Sequence, residues 1–304
     1  MKPVGFAFAD IFLSHKTPSW HPDRPERLIS AIQELKRSGL WEKLIHIPPR
    51  EAAWDDIARV HSPEYIERVK ALGVGALDGD TYLSEHSLEA ARHAAGALLE
   101  AIDRAKLGEF RRAFCAVRPP GHHAETNRGM GFCIFNNIAV AARYAQTIGF
   151  RKIFIIDFDV HHGNGTQQIF EDDNSVYFFS SHQANLYPGS GQEYERGNGA
   201  GAGFTYNVLM QPGSGDRDYL EVYEAILPPL MKRFFPDLVL VSAGYDIHAA
   251  DPLAAVRVSN EGIRAMVASI LQSTYAPVIF ALEGGYDFPS LSDSVRVTIR
   301  EMLR

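Results

Sequence analysis

Residues 157–166 read DFDVHHGNGT and place two aspartates, two adjacent histidines and two glycines directly after an apolar run. Such a stretch either closes a strand as a polar loop or holds a metal. Along an extended backbone the side chains alternate, so Asp157, Asp159 and His161 project to one side while Phe158, Val160 and His162 project to the other. Asp159 and His161 are then neighbouring donors in reach of one cation. A third donor is needed, and Asp246 in SAGYD is the best candidate, because its strand end carries no competing local partner. Two carboxylates and an imidazole are hard to borderline donors, suited to Zn²⁺ or Fe²⁺ with a position left open for water and substrate. The carboxylates cancel the dication's charge, so the site accepts a neutral carbonyl group. Asp157, one pleat back, is placed to orient a histidine from behind.

Two further stretches supply proton chemistry. RPPGHH contributes His122 and His123. Adjacent histidines after a Pro-Pro-Gly turn either cap a loop or face a cavity together, where they supply a base and an acid for attack by water. LEGGY puts Tyr286 behind Gly284 and Gly285, so its phenol is expected to hang on a flexible turn that swings over a bound carbonyl. Metal, imidazole pair and phenol make an apparatus for adding water to an amide, with the tyrosine stabilising the oxyanion.

The elements that must position these residues are short apolar runs alternating with helical patterns. Strands are expected at 4–8, 113–117, 152–157, 176–180, 204–209, 238–242 and 278–282, mostly apolar throughout, as parallel strands covered on both faces are. Helices are expected at 24–37, 87–105 with Ser87 as N-cap, 137–149, 219–234, 261–273 and 290–303. Strand and helix alternation predicts an α/β doubly wound parallel sheet, in which ligands bind beyond the carboxyl ends of the strands. The polar clusters fall there four times, and four coincidences outweigh the reading of each as an ordinary cap.

No repeat, low-complexity tract or linker divides the chain, so residues 1–304 are expected to be one domain; the glycine-rich 189–203 reads as a long loop. With 46% hydrophobic and 22% charged residues, the chain has the material for a large core. A formal charge of −7 gives no basic field for direct nucleic-acid binding or for an anionic membrane. No run approaches the roughly 18 apolar residues of a membrane span. Cys115 and Cys133 form no CxxC pair and read as free thiols of a reducing compartment, so a cytoplasmic protein is expected.

Taken in order, RPPGHH, GMGFCIFNN, DFDVHHGNGT, SAGYD and LEGGY resemble the motif series of the histone deacetylase family, in its class II and bacterial amidohydrolase branch, which includes acetylpolyamine amidohydrolases. The likeness runs from HPDRPER at 21–27 to Tyr286, nearly the whole chain. It implies the arginase-deacetylase fold, an eight-stranded parallel sheet flanked by helices on both faces, and zinc-dependent removal of acyl groups from amines. By resemblance, Asp159, His161 and Asp246 are the metal ligands, His123 the general base, His122 its electrostatic partner and Tyr286 the oxyanion donor. Asp157 then stands behind His122 and Asn164 behind His123; many relatives carry aspartate at that second position, so Asn164 should leave His123 less basic. Gly131, Phe132 and Tyr187 resemble the tunnel that grips a linear acyl-amine arm, Leu253 its rim, and Arg27 the arginine of an inner channel for released acid. A K⁺ or Na⁺ ion is implied beside the metal at Asp157, Asp159, His161, Ser180 and Ser181, and a second at Phe170, Asp173, Val176 and Tyr206.

Three classes of function compete. A zinc amidohydrolase acting on acyl-lysine or another acylated amine leads. An arginase-like ureohydrolase bridges two metals with extra aspartates, but Ile247 and His248 follow Asp246 here. A metal-free acyl-lysine binder would have lost a ligand or the tyrosine, and none is missing. The sequence leaves open acetyl-lysine against acetylated polyamine, the acyl chain length, the native metal, and whether the chain forms a homo-oligomer. Leu253 offers a second amine no charge, which favours acyl-lysine, unless an acid such as Asp80 supplies it.

Overall fold

The computed structural model describes residues 2–304. The described residues form ten strands: β1 (Val4–Ala7), β2 (Ile45–Ile47), β3 (Gly75–Ala76), β4 (Tyr82–Leu83), β5 (Arg112–Cys115), β6 (Ile153–Asp157), β7 (Val176–Gln183), β8 (Thr205–Met210), β9 (Leu238–Ala243) and β10 (Val278–Leu282). Eight of them make a parallel sheet in the order β2-β1-β5-β10-β9-β6-β7-β8, and β3 and β4 form a small antiparallel hairpin. The apolar composition explains the layering. β6 buries Ile153, Phe154, Ile155 and Ile156 completely. At about 1.5–3 kcal/mol for each such side chain, the strand outweighs the cost of ending on a buried carboxylate, Asp157.

Helices cover the sheet. Phe288–Met302 packs against Glu26–Arg37 and Asn260–Gln272, while Ser87–Lys106 packs against Asn137–Thr147. Their caps follow from the sequence: Asn136 accepts from the Ala139 amide, Ser259 from Gly262 and Asp287 from Ser290. Among the described residues no helix is long and apolar enough to cross a membrane.

Several expectations are corrected. The periodic pattern yields seven strands, and the eighth, β2, escapes it because this three-residue edge strand exposes His46. Ser87 does not cap its helix. Its hydroxyl instead lies 2.6 Å from His15 Nδ1 and accepts from the Ser84 amide at 2.6 Å. The helix expected at 219–234 is broken: Asp216–Glu221 passes through a wide π turn, Val222–Ile226, into Leu227–Phe234, where Pro228 and Pro229 lack amide donors. β6 stops at Asp157, so the strand does not continue to His161.

Candidate active site

The chain lays β5 and β6 down in succession, yet β10 and β9 later insert between them, which makes a topological switch point in the middle of the sheet. Registry then levels four strand ends. Cys115 pairs with Ala281, Ala281 with Ser242, and Ser242 with Asp157. The loops leaving those strands therefore start at one height, and they carry His122–His123, Tyr286, Asp246, and Asp159 with His161.

One donor atom each from Asp159, His161 and Asp246 lies within 4.8 Å of the others. His161 Nδ1 faces both carboxylates, 3.0 Å from Asp159 Oδ1 and 3.1 Å from Asp246 Oδ2. Backbone amides fix the carboxylates: Val160 donates to Asp246 Oδ1 at 2.9 Å and Gly284 to Asp159 Oδ2 at 2.8 Å. Position 284 must be glycine, since a Cβ there would stand 2.1 Å from Asp246 Oδ2. Burial alone would lower the His161 pKa, but the two carboxylates outweigh it and raise it to about 10. Burial and the neighbouring Asp159 together push the Asp246 carboxyl up. Two buried carboxylates sharing one imidazolium proton are short of positive charge, and a dication in place of that proton supplies it. The donor set therefore fits a divalent metal. Beyond the strand end, Phe158 and Val160 join the hydrophobic core while Asp157 meets His122 and Asp159 meets His161.

The imidazole pair sits beside this cluster, ring centroids 4.0 Å apart. His122 Nδ1 meets Asp157 Oδ2 at 2.9 Å. Burial works against its charge, but Asp157 and Asp159 prevail and raise its pKa to about 10. His123 Nδ1 meets Asn164 Oδ1 at 2.8 Å, and the Asn164 amide nitrogen donates to Glu125 Oε1 at 2.8 Å. The Asn164 oxygen can only accept, so Nδ1 carries the proton and Nε2 keeps its lone pair. Burial and the nearby His122 and His161 push the His123 pKa well down. One imidazole is thus held charged and the other neutral.

Tyr286 is less free than its glycines imply. Its ring stacks over the Arg27 guanidinium at 4.9 Å and edges Phe132 at 5.9 Å, while its amide donates to Asp251 Oδ2 at 2.6 Å. Burial raises its phenol pKa well above the usual value, so it remains a hydrogen-bond donor. Arg27 lies beneath, fully buried, and donates to the carbonyls of Gly285 (2.6 Å) and Glu283 (2.5 Å) and to Asp23 Oδ1 (2.7 Å). Glu283 joins the site without having been expected there. Its Oε2 accepts from the Gly121 amide at 2.7 Å and its Oε1 from Ser242 Oγ at 3.0 Å, which ties the RPPGHH loop to β9. Its signal was a carboxylate at the end of a fully buried strand.

Gly131, Phe132, Tyr187 and Leu253 line one cavity of about 230 Å³ with His123, His161 and Tyr286, joined by Asp80 and Leu186. Asp80 Oδ1 holds the Gly131 amide at 3.0 Å, and Thr81 Oγ1 holds that of Phe132 at 3.0 Å. Phe132 has φ +70°, a strained conformation for a bulky residue. A Cβ on Gly131 would stand 2.4 Å from the His123 ring. Tyr187 faces His123 edge-on at 5.2 Å.

The residues named for monovalent cations divide. On β7, Ser180 pairs in register with Asp157, and the hydroxyls of Ser180 and Ser181 lie 2.9 Å from His182 Nδ1 and from the Tyr223 hydroxyl. Phe170, Asp173, Val176 and Tyr206 line no part of the cavity. The Asp173 carboxylate pairs with Arg143 and accepts from the Ser175 amide at 2.8 Å.

Comparison with known proteins places this architecture. The histone deacetylase domain family matches residues 21–302. A probable deacetylase of Archaeoglobus fulgidus is 36% identical over 93% of this chain and 81% of its own length. Histone deacetylase 15 of Arabidopsis thaliana is 38% identical over 93% of the chain, and the human polyamine deacetylase HDAC10 is 37% identical over 94%. The chain spans only about half the length of those two, 53% and 45%. The crystal structure of the HDA15 HD domain superposes with a TM-score of 0.96 at 36% identity, covering 99% of this chain and 88% of that one. An eight-stranded parallel sheet whose four central strand ends carry an Asp-His-Asp cluster, a histidine pair and a tyrosine is the arginase-deacetylase fold, and the chain belongs to the histone deacetylase family.

Proposed function

We propose that this chain is a zinc-dependent deacetylase that hydrolyses the amide of N-acyl-lysine side chains or a related acylated amine. The observation that carries this reading is the Asp159-His161-Asp246 cluster opening onto a narrow cavity that also holds His123 and Tyr286. Asp159, His161 and Asp246 would hold the metal, with Fe²⁺ as the alternative to Zn²⁺. When bound, the dication acts as a Lewis acid toward the amide carbonyl and the attacking water. His123 Nε2 takes the water proton as the oxygen adds to the carbonyl carbon, and later passes it to the amine as the C–N bond breaks. His122, charged and paired with Asp157, offsets the negative charge that develops. Tyr286 donates its hydroxyl to the oxyanion. Phe132 and Tyr187 form the walls for a methylene arm, and Gly131 presents its carbonyl to the substrate amide. Arg27, with its guanidinium under Tyr286, braces that loop and borders the path proposed for released acid. A K⁺ or Na⁺ ion beside Asp157 and Ser180, and another near Asp173, would be structural. Buried thiols at Cys115 and Cys133 support a reducing cytoplasm.

A second reading, an acetylated polyamine as substrate, is favoured by one observation: the Asp80 carboxylate on the cavity wall. Against it stands Leu253, which is uncharged at the same cavity. Measured kcat/KM is expected to be higher for an acetyl-lysine peptide than for acetylspermidine, and Leu253→Glu should shift the ratio toward polyamine by about 1–3 kcal/mol. A wild-type preference for polyamine would select the second reading.

A further inference from the structure

Trp20 is 70% exposed, although an indole is among the largest apolar groups a chain can bury. It is joined to the tunnel by aromatic contacts. Phe132 meets His21 at 4.4 Å, His21 meets Trp20 at 5.9 Å, and Tyr82 meets both Trp20 (5.9 Å, 87° between planes) and His21 (5.8 Å, 89°). The loop that carries Trp20 is anchored along its length. The Lys16 amide donates to Ser84 Oγ at 2.9 Å, Thr17 Oγ1 to the Asp23 carbonyl at 2.6 Å, and His21 Nε2 lies 2.9 Å from the Asp80 carbonyl. The anchored loop therefore presents the indole on the ring cluster that leads to the substrate cavity.

We propose that Trp20, backed by Tyr82, is a docking platform for a bulky apolar side chain of a polypeptide substrate, flanking the acylated lysine. This rests on the deacetylase reading and narrows its substrate class. Continuity with the cavity argues for the site. Two ring steps carry from Phe132 to Trp20, a span that an extended peptide covers in about two or three residues at roughly 3.3 Å each. A free acylated polyamine has no side chain to put there. A rigid aromatic group presented in advance binds with little loss of conformational entropy.

The test compares wild type, Trp20→Ala and Trp20→Phe on three substrates: acetyl-lysine blocked at both ends, a seven-residue peptide with central acetyl-lysine and phenylalanine two residues to each side, and the same peptide with alanine there. Trp20→Ala should lower kcat/KM for the phenylalanine peptide about 5- to 10-fold through KM, to the level of the alanine peptide. The blocked acetyl-lysine should stay within about twofold and Trp20→Phe should retain most of the preference, as a stacking contact requires. An equal fall on all three substrates, or no fall on the phenylalanine peptide, would overturn the platform. A wild type that cleaves none of the three would overturn the deacetylase reading beneath it.

Discussion

Tyr286 is fixed by Arg27 below, Phe132 beside and Asp251 at its amide, so replacing its hydroxyl should remove one hydrogen bond and little else. Tyr286→Phe is expected to lower kcat about 100-fold or more with metal content unchanged, the usual loss for one oxyanion donor; steady-state kinetics beside elemental analysis checks both. Asn164 gives a prediction with a sign. A base must be unprotonated to act, and an Asn164→Asp carboxylate behind Nδ1 would stabilise the imidazolium of His123. The acidic limb of the kcat/KM profile should therefore move to higher pH. An unmoved limb would remove His123 from the base role. At this scale most of the site was legible in the sequence, because side-chain type and a period of two suffice to pick Asp159 and His161. Glu283 and Asp251 were not. Both act by accepting backbone amides from loops distant in sequence, and such partners leave no local pattern.

Among the elements, the apolar runs of β5, β6, β9 and β10 announced themselves, whereas β2, a half-exposed edge of three residues, and the π turn at Val222–Ile226 did not. Strand order was equally hidden. Nothing local in β9 or β10 shows that they insert between β5 and β6, yet that insertion brings the four strand ends together. The tie between the HPDRPER and RPPGHH segments also lay outside the pattern. Asp23, fully buried, accepts from Arg27 Nη1 at 2.7 Å and from Arg118 Nε at 2.8 Å. The two guanidiniums overcome burial and hold its carboxyl far below the usual range. Asp23→Ala would leave two buried cations without their counter-charge, and should cost about 3–5 kcal/mol in urea unfolding.

For the whole molecule, we propose that the 304 residues unfold as one domain, in a single transition. Acid should act on it through two buried neutral histidines. His61 Nε2 accepts from the Asn136 amide at 2.9 Å, so the ring is neutral, and burial lowers its pKa to about 4. Burial likewise lowers His182 to about 4. Unfolded histidine titrates near 6.5, so the unfolded chain binds more protons between those values. The stability that these two neutral histidines contribute is therefore complete above pH about 6.5 and falls as pH drops toward 4, by about 3 kcal/mol from His61 alone; chemical denaturation of wild type and of His61→Gln at a series of pH values measures that contribution. The proposed chemistry depends on a single metal centre, and its most direct test is the divalent metal bound per chain in wild type and in Asp246→Ala. One ion per wild-type chain and almost none in the variant is the expected result. Two ions per chain, or full retention by the variant, would contradict a single metal held by Asp159, His161 and Asp246.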